Sequence, residues 1–90
     1  MITHDLKTWS CYFTEVLAGN KTFELRKNDR NYKIGDILNL IEVDENKPLI
    51  IAGLKHYLPT GRTCQRTITY ILEGGQFGLD KDYVILGMKK

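Results

Sequence analysis

The sequence predicts a mainly β domain of the α+β kind: a small closed or half-closed β-barrel with one N-terminal helix capping an end. Three observations carry this. Apolar residues fall at helical spacing in only one stretch, near the N-terminus. Everything after it breaks into short runs that alternate or are rich in Ile, Val, Thr and Tyr, bounded by Gly, Asn, Asp and Pro. A chain of 90 residues has room for one domain, residues 1–90, and closing its sheet removes the exposed edges that so many short strands would otherwise present.

The elements follow in order. Ile2 to Lys7 alternates weakly, with Ile2, His4 and Leu6 on one face, and reads as a first strand. Trp9, Phe13, Val16 and Leu17 lie at i, i+4, i+7 and i+8, one face of a short helix that turns Trp9 toward the core. Thr8 or Ser10 can cap its start, and Gly19-Asn20 supplies a left-handed stop. Thr22 to Arg26 alternates again, Phe23 and Leu25 pointing one way and Thr22, Glu24 and Arg26 the other. Two turns, Asn28 to Asn31 and Ile34 to Asp36, lead into a strand from Ile37 to Val43. Asp44 to Pro48 is a hairpin loop. Leu49 to Tyr57 reads as one long strand with a bulge or bend at Gly53, closed by Leu58 to Gly61. Thr67 to Leu72 and Tyr83 to Met88 are the last strands, separated by the loop Glu73 to Gly78.

Composition narrows the function classes. An apolar share of 42% and a charged share of 27% are those of an ordinary globular protein. No apolar run approaches the roughly 20 residues of a membrane-spanning helix. Met1 to Asp5 lacks a basic region followed by an apolar stretch, so a cytoplasmic location and no membrane partner are expected. Cys11 and Cys64 form no C-x-x-C pair and are expected as free thiols packed like small apolar groups. With His4 and His56 they lack the short spacing of zinc modules, so neither metal nor cofactor is expected.

A net charge of +2 is too small for avid, sequence-blind binding of duplex DNA, but its distribution is patterned. Lys21, Arg26, Lys27, Arg30 and Lys33 cluster in one segment, and Lys55, His56, Arg62 and Arg66 in another that has no acid. Asp36, Glu42, Asp44 and Glu45 make an acidic stretch between them. The two basic segments either converge on one site or are solvated surface.

The segment richest in chemistry is Gly19-Asn20-Lys21-Thr22-Phe23-Glu24-Leu25-Arg26. A helix stops on a glycine and a strand leaves at once, its polar face presenting Thr22, Glu24 and Arg26 with Lys21 at the junction. Glu24 and Arg26 then either pair in solvent or bracket a polar ligand between an acceptor and a forked donor. The second segment, from His56-Tyr57 to Thr60-Gly61-Arg62, is either a flexible anion-contacting loop or a plain turn with a solvated arginine.

Gly19-x-Lys21-x-x-Glu24-x-Arg26 directly after a helix resembles the G-x-K-x-x-E-x-R signature of ASCH domains, in the PUA-like superfamily. The likeness is closer to a small bacterial and phage branch of that group. The residues that carry it run along the chain: His4-Asp5-Leu6-Lys7, Tyr12-Phe13, Lys27 to Arg30, Ile34-Gly35-Asp36, Thr60-Gly61-Arg62 and Ile68 to Leu72. Ser10 stands where many relatives carry proline. The resemblance implies a PUA-like barrel whose cleft, between the helix-to-strand junction and the facing strands, is lined by Lys21, Glu24 and Arg26, with His4 facing it. It implies RNA or a nucleoside as partner: Lys21 and Arg26 hold phosphate, Glu24 accepts from a base, and Tyr57, Tyr70 or Trp9 stacks. Of these, Trp9 is expected in the core, while Tyr57 and Tyr70 stay open.

Three functions are therefore weighed. A noncatalytic RNA- or nucleoside-binding domain asks only for the charged cleft, with Lys21, Thr22, Glu24, Arg26, Tyr57, Arg62 and His4 as its contacts. A small hydrolase of acetylated cytidine, similar to some ASCH-like proteins, would use Lys21 and Glu24. The lysine fits, but Glu24 stands where those enzymes carry threonine, and only Glu73 offers a distal glutamate. A protein-binding adaptor would need neither.

Overall fold

Every second residue of Thr3–Trp9 turns inward: His4, Leu6 and Thr8 are buried between exposed neighbours, the period-2 pattern of a half-buried strand. The computed structural model describes residues Met1–Lys90 and contains one helix and seven strands. In chain order these are β1 (Thr3–Trp9), α1 (Ser10–Leu17), β2 (Phe23–Lys27), β3 (Ile37–Val43), β4 (Leu49–Ile51), β5 (Leu54–His56), β6 (Pro59–Glu73) and β7 (Tyr83–Lys89). The protein is mainly β, with a curled half-barrel sheet and a single short helix.

Five strands form that sheet in the order β1-β3-β6-β7-β2, parallel between β1 and β3 and antiparallel elsewhere. Register shifts at Ile41/Val43 and Ile68/Tyr70 mark irregularities of the kind that bend and twist a sheet. Helix α1 accounts for the curl. It leaves β1 at one edge and hands the chain to β2 at the other, and eight helical residues span only about 12 Å. The two edges are thereby brought face to face. They are joined by side chains: Arg26 Nη2 donates to the Lys7 carbonyl at 2.9 Å, and Arg30 Nη1 to the Asp5 carbonyl at 2.7 Å.

The core lies inside the curl. Phe13 and Val16, three apart on α1, pack with Leu6, Tyr32, Leu38, Leu40, Ile68, Val84, Leu86 and Met88. Each fully buried aliphatic or phenyl side chain contributes about 1.5–3 kcal/mol. The helix ends as its Gly19-Asn20 predicts. Gly19 sits at φ +82°, with Gly19 N–H donating to Val16 and Asn20 N–H to Glu15, the two bonds of a Schellman stop.

Several expectations are corrected. Trp9 ends β1 and is not on the helix face. Neither Thr8 nor Ser10 caps α1 through its side chain; the Glu45 carboxylate takes the Ser10 N–H at 2.7 Å instead. Leu49 to Tyr57 is a separate two-stranded hairpin, because Ala52 and Gly53 both take positive φ (+53° and +78°), the two-residue turn that reverses a chain. Leu58 to Gly61 does not close a strand: β6 begins at Pro59, which pairs with Val43, and Thr60, Gly61 and Arg62 form the irregularity between that pair and the next, Ile41 with Thr63. Cys64 packs against the core, but Cys11 is exposed.

Candidate functional site

Strand β2 turns its polar face inward. Phe23 and Leu25 are half exposed, while Glu24 is 4% exposed and Arg26 is partly buried. This facing puts a carboxylate and a guanidinium on the inner side of an edge strand, at the seam where β2 approaches β1. There the structure opens into a cleft of about 660 Å³. Its β1 wall is Lys7, Thr8 and Trp9; its β2 wall is Phe23 to Arg26; Tyr12 and Lys21 come from the helix and its exit; Lys55, His56 and Tyr57 come from the hairpin.

Glu24 organises the floor. Its Oε2 lies 3.3 Å from Lys21 Nζ and 3.4 Å from Arg26 Nη2. Lys21 also donates to the Phe23 carbonyl at 2.7 Å and sits over the rings of Phe23 and Tyr12, at 4.9 and 5.6 Å from their centroids. Arg26 Nη2 further donates to Thr8 Oγ1 at 3.1 Å. Two polar atoms are left over. Glu24 Oε1 and Arg26 Nε are buried and have no hydrogen-bond partner. An unsatisfied buried group costs about 1–3 kcal/mol, more when charged, and no protein group offsets that cost at either atom. Trp9 and Tyr57 form the aromatic wall, edge to face with centroids 4.7 Å apart.

Of the residues named from sequence, Lys21, Glu24, Arg26 and Tyr57 come together here. Thr22 does not: it is exposed, and its carbonyl takes the Met88 N–H. His4 is not in the cleft but buried beside Tyr32, its Nε2 donating to Asp36 Oδ2 at 2.9 Å. That bond, with the N–H groups of Ile2 and Lys33, holds the Asp36 carboxyl below its ordinary range against the opposing effect of burial. Arg62 does not reach the cleft either. It holds Glu42 with two hydrogen bonds, Nε at 3.0 Å and Nη2 at 2.9 Å, while Ser10 Oγ and Thr60 Oγ1 donate to the same carboxylate. Together these donors pull the buried Glu42 carboxyl down to about 2. Tyr70 is exposed and does not line the cleft.

The two basic segments thus converge in part: Lys55 and His56 join the cleft, Arg62 and Arg66 do not. Lys7, Thr8 and Tyr12 line it although the sequence does not single them out as ligand contacts, and Trp9, expected in the core, is 37% exposed at its wall. They reach it because β1 and α1 meet at its edge, a tertiary fact with no local sequence signal.

A small β domain with a half-barrel sheet and a charged, partly unsatisfied cleft on its seam is the class that fold and site define. Within it, the chain belongs to the family described as domain of unknown function DUF3850, which it matches over residues 3–88. It is 51% identical over 39 residues to a protein of Escherichia phage P2 described as an uncharacterized 12.9 kDa protein in the GpA 3′ region. That match covers 43% of this chain and 36% of the phage protein, so the chain spans about a third of the length of that curated relative. No helix is long and apolar enough to cross a membrane.

Proposed function

We propose that this protein is a noncatalytic binding domain of the ASCH/PUA-like kind that takes RNA or a nucleoside into the seam cleft. The observation that carries the reading is the partnerless pair, Glu24 Oε1 and Arg26 Nε, on residues that line one cleft with Trp9 and Tyr57. A nucleobase edge places an N–H next to an acceptor, which answers a carboxylate oxygen and a guanidinium N–H together, and its flat face suits Trp9 or Tyr57. The hydrolase reading is weaker, because the Lys21 ammonium serves as counter-charge to Glu24 and as donor to Phe23, not as a free nucleophile.

Trp9 is the one tryptophan and lines the cleft, so its fluorescence reports occupancy. Ribonucleosides or single-stranded RNA are expected to shift it saturably, and Glu24→Gln to weaken every such ligand. Absence of any shift across a panel of nucleosides and RNAs would sink the reading. Acetate released from acetylated cytidine, and lost on Lys21→Ala, would replace it with the hydrolase.

A further inference from the structure

The cleft is polarised from floor to rim. At the floor, Glu24 presents negative charge, and the cations beside it are committed: Lys21 Nζ to Glu24 and the Phe23 carbonyl, Arg26 Nη2 to Glu24, Thr8 and the Lys7 carbonyl. A phosphate pushed to this depth would meet a carboxylate and have to displace those bonds. At the rim the balance differs. Lys7 on β1 and Lys55 and His56 on the hairpin line the same cleft, are exposed, and make neither an ion pair nor a side-chain hydrogen bond. Floor and rim therefore ask for different parts of a ligand.

Resting on the reading above, we infer that the cleft takes a phosphate-bearing nucleotide with an unpaired base, the base turned in to Glu24 Oε1 and Arg26 Nε and the phosphate turned out to Lys55, His56 and Lys7. This departs from the sequence-based expectation that Lys21 and Arg26 hold phosphate. It also excludes duplex. A base already paired has its Watson–Crick donors and acceptors occupied, and A-form geometry keeps that edge inside the helix, away from a carboxylate buried in a cleft. The shared chemistry is a 5′- or 3′-phosphorylated nucleotide, which a free mononucleotide or a single strand of RNA both supply.

The test titrates the full chain, read by Trp9 fluorescence, with four probes: ribonucleosides, their 5′-monophosphates, a single-stranded oligoribonucleotide, and the same strand annealed to its complement. The monophosphates are expected to bind on the order of tenfold tighter than the nucleosides, since one phosphate hydrogen-bonded by rim cations is worth about a decade. The single strand is expected to bind at least tenfold tighter than the duplex. Lys55→Ala combined with His56→Ala, on an exposed hairpin where circular dichroism verifies the fold, erases the monophosphate advantage and flattens the salt dependence of strand binding, by roughly 0.7–1 in slope for each phosphate left without its cation. A strand that outbinds the monophosphate marks RNA as the source; equal affinities mark the free nucleotide. Nucleoside and monophosphate binding alike, duplex matching single strand, or a full phosphate advantage in the double variant each overturns the orientation while leaving base binding standing. Silence from all four probes removes the parent reading and this one with it.

Discussion

Arg62→Ala separates structure from binding. Glu42 is 3% exposed and takes four hydrogen bonds: two from Arg62, one from Ser10 and one from Thr60. The network ties β3 to β6 and to the first residue of α1. Its carboxyl titrates at about 2 in the folded protein against 4.5 for an unperturbed glutamate. Because the folded value is the lower one, the network stabilises the protein fully above pH ~4.5, and that contribution disappears as pH falls toward 2. At about 1.36 kcal/mol per unit the ceiling for the whole network is roughly 3 kcal/mol, and solvent around the half-exposed Arg62 lowers it. Urea unfolding at pH 7 is therefore expected to show Arg62→Ala less stable than the parent by only part of that amount, since Ser10 and Thr60 still donate to Glu42. The parent is expected to lose more stability than the variant between pH 5 and pH 2.5, since the variant has less depression left to lose. Ligand binding to the cleft is expected to be unchanged. A variant within 0.5 kcal/mol of the parent with an identical acid profile would refute the network's role, and loss of ligand affinity in a folded variant would return Arg62 to the binding surface.

Three further outcomes follow from the same geometry. Arg26→Ala removes the donor that joins the two sheet edges and is expected to cost about 1–3 kcal/mol in urea unfolding, with faster amide exchange concentrated in Lys7 to Trp9. Ala52→Gly relieves a left-handed alanine at φ +53° and is expected to stabilise the hairpin by about 1 kcal/mol, seen as slower exchange of the amides of Leu49 to His56. A maleimide is expected to modify the exposed Cys11 well before Cys64, whose thiol is half-buried and pushed up by burial despite the nearby Arg66; mass spectrometry of a time course reads the order.

The fold was legible wherever a local rule decided it. Helical spacing and a left-handed glycine placed α1 to within a residue at its end, and β3 and β7 were readable as strands from apolar, β-branched runs. What failed were decisions made by contacts distant in sequence. The reversal at Ala52-Gly53 hides behind an alanine, since this turn favours asparagine, aspartate or glycine and nothing local announces it. The extension of β6 back to Pro59, across the irregularity at Thr60-Gly61-Arg62, depends on Val43 of β3 being there to pair with it, which no turn signal can report. Trp9 left the helix because β1 continues to the point where α1 starts, and its neighbour Tyr57 lies 48 positions away.

The site turns on a distinction that spacing cannot make. Alternation says that Phe23 and Leu25 share one face and Glu24 and Arg26 the other; it does not say which face is inside. Glu24 and Glu42 are both buried glutamates on strands, both beside an arginine, and apart from the signature around Glu24 alternation and burial do not tell them apart. Their hydrogen bonds do. Glu42 has both oxygens taken by protein donors, so its burial is repaid within the fold and nothing is left for a ligand. Glu24 keeps Oε1 without a partner, as Arg26 does its Nε, and both residues line a cleft, on a strand whose apolar residues face outward. A fold optimised only for stability would turn Phe23 and Leu25 in and leave no orphan. Where local patterning and burial conflict and no compensation appears inside the protein, a ligand is the natural source of it, and that is the ground on which the binding site is proposed at Glu24 rather than at Glu42.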